Sequence, residues 1–261
     1  MRPSTAVDPW IVRRPPNPGA RLRLFCLPYA GGGASMYRIW GQSLPPEVDV
    51  CPVQLPGREN RLHEKPFDRL GPLVKTMADA LAPHMELPFA FYGYSNGALL
   101  SFELARELRR RGARGPEHVF AAACPAPHLP DRDPPIHALP DEELIAELRR
   151  LNGTPDEVLQ NRELMALLIP LMRADAAIHE TYVHEEEAPL DVPITAIGGT
   201  DDPKATREDM EAWQLHTRAA FEVRMIPGDH FFIHSAAPLV LRALAQDLHA
   251  VLRRLSMPRF A

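Results

Sequence analysis

The chain has 261 residues, 45% of them hydrophobic and 24% charged, which is enough apolar material for a substantial core and excludes a disordered or fibrous protein. A formal net charge of −5 excludes a general nucleic-acid binder, which needs clustered Lys and Arg to neutralise phosphates. No stretch approaches the roughly 18 uninterrupted apolar residues of a membrane span, and the first twenty residues lack the apolar centre of a signal peptide.

Three cysteines, Cys26, Cys51 and Cys124, stand in apolar strand-like stretches without C-x-x-C spacing. They read as small buried side chains of a reducing compartment, with neither a disulfide framework nor a zinc site. The expectation is a cytoplasmic protein, one domain over residues 1–261, holding no metal and no cofactor of its own.

After a Pro-rich beginning, Leu22 to Leu27 is a short apolar run that stops at Pro28 and the glycines Gly31, Gly32 and Gly33, predicting a strand and a tight loop. Val48 to Leu55 predicts a second strand, ending at Pro56-Gly57. Leu70 to Met85 has helical spacing through Leu73, Val74, Met77 and Leu81. Phe89 to Tyr92 predicts a third strand. From Ala98 onward, Leu100, Leu104 and Leu108 recur four apart, and Gly112 stands where a left-handed cap belongs. His118 to Ala123, Ile194 to Ile197 and Phe221 to Ile226 predict three more strands, and Ala236 to Leu255 a closing helix. Strands alternating with helices imply a mostly parallel central sheet covered by helices on both faces. Between Pro125 and Pro193 the rhythm changes to helices alone, Asp141 to Leu151 and Glu163 to Tyr182, the latter with Pro170 inside. Residues 125–193 are therefore expected to form an inserted helical subdomain, a lid or a purely structural bundle.

Gly93-Tyr94-Ser95-Asn96-Gly97 matches G-x-S-x-G with a strand before it and a helix after it. A serine on so sharp a turn needs small neighbours two residues away on each side, and the helix amides beyond it favour developing negative charge. A hydroxyl is a weak nucleophile at neutral pH, so a base and an orienting acid are required. In the α/β-hydrolase arrangement they follow in the order acid, histidine. His230, in the loop after the last strand, is the expected base, with His234 as its competitor. The stretch ITAIGGTDDP supplies the acid: Asp201 is expected and Asp202 is the alternative, because Pro203 is taken to turn Asp202 outward. The two amides that would bind an oxyanion are assigned to Ala30, in the loop after the first strand, and to Asn96.

These residues resemble the type II thioesterases that accompany polyketide synthases and nonribosomal peptide synthetases. The resemblance rests on LFCLPYAGGGAS, QLPGRENRL, GYSNGALLSFELAREL, LPDEELIAELRRLNGTPDEVL, ITAIGGTDDP and IPGDHFFI, and it covers most of the chain. It implies an α/β-hydrolase fold with a lid, a triad of Ser95, Asp201 and His230, oxyanion donors at Ala30 and Asn96, and an acyl-phosphopantetheine substrate presented by a carrier protein. The chain departs from many relatives in having Tyr94 and Asn96, where His and Met or Leu are common. Arg109, Arg110, Arg111 and Arg114 form a basic run that either attracts an acidic carrier domain or merely suits the end of its helix. The rival readings are an esterase, lipase or peptidase with the same triad, an acyltransferase, a noncatalytic scaffold, and a metal site at His230 and His234.

Overall fold

The computed structural model describes residues 9–12, 17–151 and 153–257; much of the Pro-rich beginning lies outside them. Six strands, β1 (Leu22–Leu27), β2 (Val48–Pro52), β3 (Phe89–Tyr94), β4 (Val119–Ala122), β5 (Ile194–Gly199) and β6 (Phe221–Ile226), form one parallel sheet in the order β2-β1-β3-β4-β5-β6. The strands are short apolar runs because both faces are covered. Phe25, Phe89, Phe91, Val119 and Ala121 point into one core with helices α1 (Leu70–Leu81) and α2 (Asn96–Arg110). Leu24, Cys26, Tyr92, Tyr94 and Phe120 point into another, closed by α8 (Ala237–Ser256). Gly112 has φ +63° just past α2, and its amide donates to the Arg109 carbonyl, as its position predicts.

Between β4 and β5 the chain makes three helices, α3 (Asp141–Arg150), α4 (Asp156–Leu159) and α5 (Arg162–Glu180). They carry a small core of their own, Leu144, Leu148, Leu159 and Met165. Asn161 caps α5 by accepting from the amides of Glu163 and Leu164, and the helix runs on through Pro170. The short helices α6 (Arg207–Glu211) and α7 (Phe232–Ser235) complete the body. No helix among the described residues is long and apolar enough to cross a membrane.

Candidate active site

From β1 the chain steps outward to β2, then returns to β3 on the other side of β1 and continues in that direction. This reversal sets the loops leaving β1 and β3 side by side at the carboxyl edge of the sheet, where parallel sheets hold ligands. Leu27, the last residue of β1, pairs with Gly93, so the Gly-rich loop starts beside the serine turn. Ser95 has φ +53° and ψ −120°, a left-handed conformation that a side-chain-bearing residue adopts only under constraint. The constraint is steric: a Cβ on Gly93 would overlap the Gly97 carbonyl, and one on Gly97 would overlap the Leu27 carbonyl. The Ser95 amide also donates to the Ala122 carbonyl at 2.7 Å, which ties the turn to β4.

The structure corrects the expected acid. His230 Nδ1 lies 2.8 Å from Asp202 Oδ2, not from Asp201, and the Asp202 side chain is fully buried. Asp201 is exposed, its amide donating to the Gly228 carbonyl at 2.9 Å and its carboxylate accepting from the Thr200 hydroxyl. With the backbone anchored at Gly228, neighbouring side chains leave on opposite sides, and it is Asp202 that faces inward. Pro203 does not turn Asp202 outward; instead the Lys204 amide folds back to donate to Asp202 Oδ1 at 2.9 Å. Because a carboxylate only accepts, Nδ1 of His230 is the protonated nitrogen and Nε2 keeps its lone pair.

Tyr94 is buried on the core side of β3, and its hydroxyl donates to the His230 carbonyl at 2.6 Å while accepting from the Ile233 amide. The residue before the serine therefore holds the histidine loop, which puts Ser95 and His230 at the same end of the sheet. Burial pushes the Tyr94 phenol well above its ordinary pKa, so this hydroxyl stays a donor. His234 stands apart from the acid, 2.9 Å from the Tyr29 hydroxyl, and Tyr29 packs edge-on against Phe231. Ala30 is the exposed residue of the loop after β1, whereas the Gly31 amide is taken by Asp175 Oδ2 at 2.6 Å. Asn96 opens α2, where amides lack intrahelical acceptors. Its side chain donates to the Asp175 carbonyl of α5 at 2.7 Å.

The insertion reaches the site from two directions. Met172 of α5 lies against Gly31, and Gly153 lies against the Phe231 ring. The arginine run is at the other end of α2. Arg109 and Arg110 bind Glu187, Arg111 binds Glu107 and Asp79, and Arg114 binds Glu117, so these charges secure the protein's own chain and lie away from Ser95. The three cysteines are buried and unbridged, and burial pushes the Cys124 thiol up to about 12.

A thioesterase-domain family model matches residues 22–250. Over 253 residues the chain is 46% identical to linear gramicidin dehydrogenase LgrE of Brevibacillus parabrevis, covering 95% of this chain and 96% of the relative. The thioesterase RedJ from the prodiginine pathway of Streptomyces coelicolor superposes with a TM-score of 0.83 at 40% identity, over 94% of this chain and 96% of RedJ. The type II thioesterase BorB from the borrelidin biosynthetic cluster gives 0.83 at 38% identity, over 92% and 97%. The six-stranded parallel sheet is that of the α/β-hydrolase-fold thioesterases.

Proposed function

Since the chain belongs to the thioesterase family, we propose that it is a type II thioesterase that hydrolyses acyl groups from the phosphopantetheine arm of carrier proteins in polyketide or nonribosomal peptide biosynthesis. The observation that supports this reading most is the buried Asp202 held on His230 at the strand edge that carries the Ser95 turn. His230 Nε2 takes the Ser95 proton as the hydroxyl oxygen attacks the thioester carbonyl. The resulting oxyanion is met by the Ala30 and Asn96 amides, each worth on the order of 3 kcal/mol of barrier. The tetrahedral intermediate expels the pantetheine sulfur, which takes the proton from His230, and leaves an acyl-serine. Water, deprotonated by His230, then releases the acid and restores Ser95. Asp202 holds the imidazole tautomer and stabilises its cationic form.

In this reading the chain needs no cofactor of its own, helices α3–α5 act as the lid, and the carrier protein is the partner. Three buried thiols suit a reducing cytoplasm. The dehydrogenase named for one relative is not carried over. The loop Pro28–Gly33 reads PYAGGG without G-x-G-x-x-G, and its Gly31 amide and the Ser35 amide just beyond it face the carboxylates of Asp175 and Glu59, which would repel a pyrophosphate.

Replacing Ser95 with Ala should lower acid release from a defined acyl-carrier protein by at least about 1000-fold. Mass spectrometry of the carrier, with a matched oxygen ester alongside, reads this directly. Turnover near wild type in the variant would remove the serine from the mechanism, and a clear preference for the oxygen ester would make the protein an esterase.

A further inference from the structure

The glycine loop after β1 and the start of the short 3-10 helix that follows it (Ala34–Tyr37) lean on side chains from elsewhere in the chain. The Ala34 amide donates to Gln54 Oε1 at 2.8 Å, and the Ser35 amide donates to Glu59 Oε1 at 3.2 Å. The Gly32 carbonyl accepts from Arg58 Nη1 at 3.1 Å, and the Gly31 amide donates to Asp175 Oδ2 at 2.6 Å. Gln54, Arg58 and Glu59 belong to QLPGRENRL, a segment to which the triad gives no task. Arg58 and Asp175 also pair with each other through both carboxylate oxygens at 2.8 Å, with their side chains only 5% and 2% exposed.

The pair therefore grips the loop just past Ala30 at two points, the Gly31 amide and the Gly32 carbonyl. Its acidic partner is supplied by the inserted helix α5, whose backbone at the same residue also receives Asn96. The neighbour of Ala30 and the side chain of Asn96 thus converge on one residue, 117 positions from Arg58 in the chain. We propose that Arg58 and Asp175 are positioning residues for the reaction: their ion pair holds the Ala30 amide, and through Asn96 the start of α2, at the place where the oxyanion forms. A loop with three glycines in succession has ample freedom to drift without such a grip, and a misplacement of about 1 Å in a reacting geometry costs on the order of 100-fold in rate.

The inference rests on the Ser95 reading, so the test carries Ser95→Ala as a parallel arm. The variants are Asp175→Asn and the double replacement Arg58→Met with Asp175→Leu, which removes both charges and leaves neither buried alone. Three quantities are measured: kcat and KM on an acyl-carrier protein, inhibition by an alkyl boronic acid that forms a tetrahedral anion on the serine, and the thermal midpoint. Asp175→Asn should lower kcat by about 10- to 100-fold with KM within about threefold, and boronate affinity should fall by a similar factor. The double variant should melt near the wild type yet stay equally slow and equally poor at binding boronate. A double variant with wild-type kcat, boronate affinity unchanged while kcat falls, or loss of the fold in both variants would each make the pair merely structural and overturn the proposal. Retained turnover in Ser95→Ala would instead overturn the parent reading.

Discussion

The carboxyl edge of the sheet and the helical insertion are held by different forces. At the edge, backbone meets backbone: Gly93, Gly97 and Leu27 are in contact, and the strands beneath them bury Phe91, Tyr92 and Tyr94 completely. Such side chains contribute about 1.5–3 kcal/mol each on burial. The insertion has only a small core of its own, and much of its attachment is polar: Asp175 to Arg58 and Asn96, Glu185 and Ala188 carbonyls to Arg106 and Arg109, His128 to His216. The neutral bonds among these contribute a net of about 1 kcal/mol each and those to the arginines about 1.5–3 kcal/mol. The serine stands where backbone packs on backbone, and the helices that cover it are held by polar bonds that a side-chain change can remove one at a time, from the buried Asp175–Arg58 pair to the more exposed Arg109.

The contrast breaks first at the serine turn. Gly97→Ala puts a methyl into the Leu27 carbonyl, with backbone on both sides and no side chain to move aside. It should abolish activity and lower stability by several kcal/mol, read by thermal melting beside the turnover assay. A stable, active Gly97→Ala protein would show that the edge relaxes as readily as the insertion.

The acid loop ranks next. Asp202→Asn should lower kcat by roughly 100- to 10,000-fold, because the amide no longer enforces the Nδ1–H tautomer of His230. Asp201→Asn should change it by less than about twofold, since that carboxylate is exposed and, among the described residues, bonds only its neighbour Thr200. Kinetics of the two variants side by side distinguish them, and equal losses would mean that either acid reaches the imidazole.

What could be read from the sequence divides along the same line. Strand β1 starts and ends where its apolar run does, and the glycines around Ser95 announce their turn because local sterics leave few alternatives. The choice between Asp201 and Asp202 was not legible, since it turns on the Gly228 carbonyl, far along the chain, which anchors the Asp201 amide. Proline at 203 pointed the wrong way, because its effect is to leave the Lys204 amide free to fold back on Asp202. The pairing of Arg58 with Asp175 had no local signal at all. Both look like ordinary charged residues until α5 is laid across the glycine loop and buries the carboxylate against the guanidinium.

The smallest expected effect is a pH dependence at the seam between the two regions. His216, from the segment after α6, bonds His128 at the start of the insertion, and His184 near the insertion's end packs against the same ring. Burial, followed by the nearby His128, His184 and Arg106, pushes the His216 pKa down to about 4. An unfolded histidine takes up its proton near pH 6.5. Between these values the unfolded chain binds more protons than the native one, so stability rises with pH across the window and is lost as pH falls from about 6.5 toward 4. His118 behaves in the same direction within the sheet, where burial beside Arg254 and Arg224 lowers it to about 3. Burial also lowers His179 and His184, so replacing His216 with Gln removes one contribution among several. After allowance for partial solvent access to the cluster, the melting temperature should drop by about 3 °C less than in the wild type between pH 7 and pH 4.5. Identical drops in the two proteins would mean that His216 does not titrate in this window and that the acid sensitivity belongs to the other buried histidines.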